Sequence, residues 1–491
     1  MTNGSDARLA TSRYTFRVPL ADGYALFNAS TGSVTRLAGA DAEELAALLS
    51  GPPRPIPEGV LDEGTTDQLR RAGFLVDPGL DEVAAVRERY WTARGKAPVS
   101  LVVTTTMDCN LGCYYCFESR SGEQLRADDV GELVEVARER LGRGGKRSLH
   151  VDWYGGEPLL NVSYLERASL ALQEFCAAEG VSYHASVVSN GTRWPEDLAP
   201  FVARHRIRQV QISFDGLKEN HDRRRRYRRE YRTADGVSSF EQAVRVVDGL
   251  LRCTRVDLRF NADHGNVGDF PGFVALARER GWFDAPFRCV IMVAKLSAYS
   301  ERSAFMRPHE LTPEEFDALQ ALARELLPAE AQDKQDVSAN GFPYPKTSVC
   351  GALAPDSAVI GADGLEYRCG LQVGETHHAV GRVRTTLPLV AVGTGPAPKP
   401  TEFPERAWWD AFDPTRQPSC SRCSFLPVCW GGCPKRHLDA SRVDVENEGH
   451  YWRTNLPRLI ASGFGQPVPE GFALTEDDQF RTGRPPAPAA G

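Results

Sequence analysis

Between residues 101 and 293, short apolar runs alternate with longer segments whose apolar positions recur every third or fourth residue. The runs are LVVTTT, HVDWYG, SYHASVVS, RQVQISF, RVDLRFNA and FRCVIMV, and the segments between them include DDVGELVEVARERL, FEQAVRVVDGLLR and GDFPGFVALARERG. Strands alternating with amphipathic helices predict an α/β fold in which a parallel sheet is covered by helices. Six such units predict a partial (β/α)6 barrel rather than a closed eight-fold ring, with functional groups at the C-terminal ends of the strands. A helix from about Thr312 to Leu327 closes the region.

Upstream, from Tyr14 to Asp77, the pattern is strand-rich: YTFRVPL, YALFNAS and GSVTRLA, then a helix (DAEELAALLS), a Pro-rich loop, a second helix (TTDQLRRAG) and a closing strand FLV. This predicts a small α+β module with its own core. A helix from about Asp81 to Arg94 leads to the first barrel strand. Beyond Gly341 the pattern breaks into short strands, turns and cysteines, which bury little apolar surface, so bound metal is expected to supply part of the stability. The Pro-rich stretch VAVGTGPAPKPTEFPE is expected to be a surface connection, and the tail RTGRPPAPAAG to be disordered.

With 491 residues, 42% of them hydrophobic and 25% charged, the chain is expected to form two or three globular domains. A formal charge of −7 argues against nucleic acid as a partner. There is neither a signal core nor an apolar run of roughly 18 residues, so no membrane partner is expected and the protein is placed in the cytoplasm. In that reducing compartment grouped cysteines point to metal. Of 12 cysteines, Cys176, Cys253 and Cys289 stand alone in apolar patterns and are expected to be ordinary buried thiols. The others are grouped: Cys109, Cys113 and Cys116; Cys350 and Cys369; Cys420, Cys423, Cys429 and Cys433.

The first group lies in MDCNLGCYYCFE, directly after a strand, with C-x3-C-x2-C spacing. Three soft thiolates suit an iron-sulfur cluster, and a four-iron cube would keep one iron free of protein ligands. The spacing, with Tyr115 in the aromatic position, resembles the hallmark of the radical S-adenosylmethionine (SAM) superfamily. That resemblance implies that SAM chelates the open iron and that an electron from the 4Fe-4S cluster splits it into methionine and a 5'-deoxyadenosyl radical, the protein supplying orientation and exclusion of water. The remaining family motifs follow at successive strand ends. WYGGEP places Gly155, Gly156, Glu157 and Pro158 where the family receives the SAM amino group, the glycines being expected for close approach of the main chain to the ligand. SNGT places Ser189 and Asn190 near the ribose, and SFDG offers Ser213 to the SAM carboxylate.

The last cysteines, CSRCSFLPVCWGGC, resemble the SPASM domain, which carries auxiliary iron-sulfur clusters in enzymes that modify peptides. A zinc ribbon is disfavoured by the C-x5-C-x3-C continuation. The resemblance implies one or two auxiliary clusters: cluster I on Cys350, Cys369 and Cys433, and cluster II on Cys420, Cys423 and Cys429. The family's final cysteine is missing, with Trp452 apparently in its place. Asp439, His437, His450 or water is then the fourth ligand, or cluster II is absent; an open iron in cluster I would be a site for a substrate thiolate. More weakly, ALFNASTGSVTRL and RRAGFLVD resemble the winged-helix-like peptide-recognition element related to PqqD, which captures leader peptides by strand addition.

The organisation expected is therefore a recognition module (1–80), a linker helix (81–97), a partial TIM-type barrel (98–335), a SPASM domain (336–460) and a tail (461–491). The loop ENHDRRRRYRRE is open to two readings, a binder of acidic peptide and a solvated charged loop; within it His221, Asp222 and Arg223 resemble residues that shape the family's site floor. Arg259 and Asn261 are expected at the barrel mouth. The function expected is that of a maturase cross-linking a precursor peptide through thioether, carbon-carbon or ether bonds, with a leader-bearing peptide and an external electron donor such as flavodoxin or ferredoxin as partners. The alternatives are a sulfatase-type formylglycine maturase, disfavoured because Gly370 stands where that family has a basic aspartate, and a non-catalytic peptide-binding or electron-relay protein.

Overall fold

A computed structural model describes residues 9–483 except 119, 233–235, 299–300, 334–336, 384–402, 440–441 and 470. The chain divides into two compact units that do not follow the linear order of the sequence. One comprises residues 1–96, 334–350 and 411–491; the other comprises 97–333 and 351–410.

The first unit begins with β1 (Ala10–Thr11), β2 (Thr15–Leu20), β3 (Gly23–Asn28), β4 (Val34–Ala38), α1 (Ala42–Leu49), α2 (Glu63–Arg71), β5 (Leu75–Val76) and α3 (Glu82–Lys96). β2, β3 and β4 form an antiparallel meander, and β1 pairs with β5. Leu26, Ala46, Leu49, Leu69 and Phe74 form a core of their own, as the alternation in these segments requires.

The second unit runs β6 (Val99–Thr104), α4 (Val130–Gly144), β7 (Ser148–Tyr154), α5 (Val162–Ala178), β8 (Ser182–Ser189), α6 (Leu198–Arg204), β9 (Ile207–Phe214), α7 (Lys218–Arg224), α8 (Ser239–Leu250), β10 (Arg255–Ala262), α9 (Phe270–Glu279), β11 (Cys289–Lys295) and α10 (Pro313–Leu326). β6 to β11 pair in parallel in sequence order, the expected partial barrel. Along β9, Val210, Ile212 and Phe214 are fully buried towards the helices, whereas Gln209, Gln211 and Ser213 alternate onto the other face. That inner face is polar and internally bonded: Gln209 donates to Asp257 at 2.7 Å, and His150 and Ser100 meet Asp152 at 2.9 and 3.3 Å.

The sheet does not stop at six strands. β12 (Ala358–Ile360) pairs in parallel with β6, and β13 (Leu365–Tyr367) and β14 (Gly381–Arg382) extend it antiparallel to nine. Runs of two or three residues carry no periodicity, so this continuation was not foreseen. It is pinned from outside by Arg140 on α4, whose guanidinium bonds both oxygens of Glu366 at 2.7 Å with both side chains buried. α11 (Pro404–Ala411) follows. Most of the expected Pro-rich connection lies outside the described residues.

The first unit then resumes with α12 (Pro418–Arg422), α13 (Leu426–Cys429), α14 (Pro434–Leu438) and α15 (Arg442–Gly463). Here the beginning and end of the chain pack together. Phe16 of β2 stacks on Phe425 at 5.0 Å, Tyr90 of α3 donates to the Phe412 carbonyl at 2.8 Å, and Arg13 donates to the Ser421 carbonyl at 3.0 Å. Arg481 corrects the expectation of a disordered tail: it is buried, bonds the Thr15 carbonyl and lies over the Phe16 ring at 4.6 Å. The remainder of the tail, from residue 484, lies outside the described residues. Cys176 and Cys289 are buried and Cys253 half-buried, with its thiol donating to the Leu250 carbonyl at 3.4 Å.

Truncating one member of a buried ion pair strands the other, which costs about 3–5 kcal/mol. Arg140→Ala is therefore expected to lower the unfolding free energy by that amount in chemical denaturation, and the double substitution Arg140→Met with Glu366→Leu to recover most of it.

Candidate active site

Beyond β6 the chain enters the cysteine loop, whose return limb is held by Met107 N–H donating to Glu123 and Leu125 N–H donating to Thr105, both at 2.9 Å. Cys109, Cys113 and Cys116 line one cavity of about 560 Å³. The Leu111 N–H donates to the Cys109 sulfur at 3.4 Å, and the Asn190 amide lies 3.7 Å from the same sulfur. Burial pushes the Cys109 and Cys113 thiols upward and Cys116 to about 11, so ionising them requires nearby positive charge. The Arg225 guanidinium supplies part of it, opposing the rise at Cys113. Three sulfurs on one cavity, with N–H donors aimed at one of them, fit a cluster held by thiolates.

The arginine-rich loop is only partly solvated, Arg224 and Arg225 being buried. Arg225 lines the cavity, donates to the Tyr115 hydroxyl at 2.7 Å and reaches Asp215 at 3.5 Å. Arg224 grips Asp263 through two bonds of 3.1 and 2.6 Å and also faces Asp215 at 3.4 Å. Tyr114 closes the chain of contacts on Asp263 at 3.3 Å. Arg228 pairs with Asp108 and donates to the Cys109 carbonyl at 2.9 Å, while the Tyr231 hydroxyl donates to Asp108 at 2.7 Å. The loop thus clamps the cysteine loop to the ends of β9 and β10. Of the three residues expected at the site floor, His221 is fully buried and accepts from the Asp215 N–H at 3.4 Å. Asp222 instead accepts from the Phe240 N–H at 3.0 Å at the start of α8, and exposed Arg223 bonds Asn220.

Gly155 and Gly156 line the cavity, and the fold itself requires glycine at both positions. A Cβ at Gly155 (φ +147°) would lie 2.4 Å from the Thr106 oxygen, and one at Gly156 would lie 2.3 Å from the Asp108 oxygen. The glycines are needed because the β7 loop packs against the backbone of the cysteine loop. Glu157 and Pro158 are buried beneath. The Glu157 carboxylate accepts from Ser189 Oγ at 3.0 Å, Asn190 N–H at 2.8 Å and Leu159 N–H at 3.2 Å, and burial raises its pKa to about 7. Ser189 and Asn190 line the cavity, although Asn190 also bonds Asn110 at 2.8 Å. Tyr115, Ser213, Arg259 and Asn261 line it as well. Sequence reasoning missed Glu118, Arg120, Tyr154, Gln211, Leu296, Met306 and Leu371. Gln211 carried a signal, since it lies two residues before Ser213 on the same strand face.

Cys369 belongs to this second unit, whereas Cys350, Cys420, Cys423, Cys429 and Cys433 belong to the first. Between Cys429 and Cys433, Trp430, Gly431 and Gly432 all take positive φ (51°, 79° and 67°), coiling the chain left-handedly between the two thiols. A Cβ at Gly431 would stand 3.5 Å from the Cys420 sulfur and 3.3 Å from His437 Nε2, so both groups face one small space. Asp439 pairs instead with Lys435 at 2.5 Å, and Trp452 is buried on α15, as is His450 in part.

Residues that orient metal ligands typically matter by about 10–100-fold. Arg228→Ala is expected to lower deoxyadenosine formation from SAM by that factor under a strong reductant, while Arg223→Ala leaves it unchanged. Glu157 gives a pH signature: because its folded pKa lies above the unfolded value, its contribution to stability is complete below about 4.5 and is lost as pH rises through about 7. Denaturation of cluster-free protein from pH 5.5 to 8.5 is expected to show that decline, and Glu157→Gln to lessen it, leaving the part due to Glu118, whose pKa burial likewise raises to about 7.

Residues 103–252 match the radical SAM superfamily model. The radical SAM cyclopropyl synthase TigE of Paramaledivibacter caminithermalis is 24% identical over 211 residues, 39% of this chain and 41% of TigE, so the alignment spans less than half of that relative. The serine-type anaerobic sulfatase-maturating enzyme of Klebsiella pneumoniae is 25% identical over 390 residues, 75% of this chain and 91% of that enzyme. Among solved structures, native anSMEcpe with bound AdoMet superposes with a TM-score of 0.54 at 18% identity, covering 75% of this chain and all of that one; it has also been solved with a Cp18Cys peptide. Among the described residues no helix is long and apolar enough to cross a membrane. Residues 103–252 thus match the radical SAM superfamily, whose members are enzymes that use SAM and a 4Fe-4S cluster.

Proposed function

We propose that this enzyme matures a ribosomally made precursor peptide in the cytoplasm, taking hydrogen from one of its carbons and closing a thioether, carbon-carbon or ether cross-link. One observation carries the reading: Leu371, two residues after Cys369, lines the same cavity as Cys109, Cys113 and Cys116. The pairing of β12 with β6 brings the Cys369 turn to the mouth of the SAM cavity, where an auxiliary cluster held by Cys369 would take up the surplus electron of the carbon radical. When bound, SAM and its cluster supply the 5'-deoxyadenosyl radical. The protein's part is positional. Tyr115, Ser189, Asn190 and Ser213 are proposed to hold SAM, while Leu296, Met306 and Leu371 offer an apolar wall that excludes water from a substrate carbon.

A leader peptide would add to the outer edge of β4, which pairs with no other strand among the described residues. anSMEcpe, which shares this fold, has been solved with a peptide bound. Reduction by flavodoxin or ferredoxin belongs to the same proposal. A second reading, oxidation of a sulfatase side chain to formylglycine, is favoured by the alignment to the Klebsiella enzyme over 91% of its length. Gly370 weighs against it. A Cβ there meets nothing within 4 Å, so space does not exclude an acidic base, yet position 370 carries a glycine.

Reduced enzyme, SAM and the peptide encoded beside its gene are expected to give deoxyadenosine and a peptide lighter by two hydrogens per cross-link. Cys369→Ala is expected to keep cleaving SAM and to leave the peptide mass unchanged. Deoxyadenosine from the wild type with an unaltered peptide would overturn the cross-linking reading, and formylglycine in a co-expressed sulfatase would establish the second.

A further inference from the structure

Downstream of Cys369 the chain makes two tight turns, Gly370–Gln372 and Thr376–His378. The second brings adjacent histidines onto one carboxylate. His377 Nε2 lies 3.8 Å from Glu375 Oε2 and His378 Nε2 lies 3.7 Å from it, and one ligand atom from each of the three residues falls within 4.8 Å of the others. Their rings sit 4.0 Å apart, inclined by 39°.

A second observation concerns the other ring nitrogen of His378. Nδ1 lies 2.6 Å from Glu405 Oε1 on α11, and Glu405 Oε2 accepts from Gln372 Nε2 at 3.4 Å. A carboxylate behind Nδ1 assigns the proton there and directs the lone pair of Nε2 towards Glu375. Imidazoles that bind metals are oriented in this way. His378 is largely buried, which fixes the ring, whereas His377 is 71% exposed and leaves one side of the cluster open to solvent.

We propose that Glu375, His377 and His378 bind a divalent transition metal ion, with zinc as the probe, and that Glu405 orients His378 from behind. Two imidazoles and one carboxylate are a donor set that suits zinc, and three protein ligands leave a fourth position for water or an exogenous ligand. No thiolate takes part, so the site is chemically separate from those of the clustered cysteines. The ion would fasten the turn that follows Cys369, and Glu405 would couple that fastening to α11. The site stands independently of the proposed peptide chemistry.

The test uses the full-length, cluster-loaded enzyme titrated anaerobically with zinc. X-ray absorption at the zinc edge is expected to show nitrogen and oxygen neighbours at about 2.0–2.1 Å and no sulfur shell near about 2.3 Å. The double variant His377→Ala with His378→Ala is expected to lose one bound equivalent while keeping its iron. Glu405→Gln retains every direct ligand and is expected to weaken zinc binding roughly 10–100-fold. A sulfur shell, or the same zinc stoichiometry in wild type and double variant, overturns the proposal. Should the double variant lose its iron through misfolding, Glu405→Gln decides: unchanged zinc affinity overturns the site, and a weakening within that range supports it.

Discussion

Buried guanidinium groups, paired with buried carboxylates, hold this catalytic unit together. Arg224 and Arg225 lie beneath the cysteine loop, where an isolated charge would cost several kcal/mol, and they are sustained there by Asp215 and Asp263 at the ends of β9 and β10. Each aspartate arrives from a different strand, so the pairs form only when the sheet is in register. The tyrosines flanking the second and third cysteines then attach to the same charges, Tyr115 through Arg225 and Tyr114 through Asp263. The position of three sulfurs is thereby set by electrostatics that the barrel itself enforces.

A second layer of dependence runs through neutral and carboxylate contacts. Glu157 gathers the β8 loop by accepting from Ser189 and Asn190, and Asn190 in turn reaches Asn110 and the Cys109 sulfur. Adjacent Gly155 and Gly156 let that arrangement close directly onto the backbone of residues 106–108. Motif residues that resemble a list of ligand contacts in the sequence therefore form, in the folded chain, a framework in which only part faces the cavity.

The barrel was legible because its strands alternate over six to eight residues and its helices carry strong caps, such as Ser238 with Glu241 and Thr312 with Glu315. The cysteine motif was legible because its spacing has few structural explanations. The arginine run was not, since a sequence of like charges reads the same whether it meets water or buried aspartates contributed by distant strands. Nor could AVI and LEY announce themselves as sheet continuations, being too short to show a period. The union of residues 1–96 with 411–491 depends on contacts such as Phe16 on Phe425, which no local pattern encodes.

The parallel seat of β12 beside β6 has a consequence for how the chain matures on the ribosome. Leu101 pairs with Ala358, a partner synthesised hundreds of residues later, so β6 remains an edge strand throughout that interval, with one row of backbone groups unsatisfied. Contacts of such long sequence separation are slow to form and leave intermediates prone to association. The nascent polypeptide therefore carries an open sheet edge until its final third emerges.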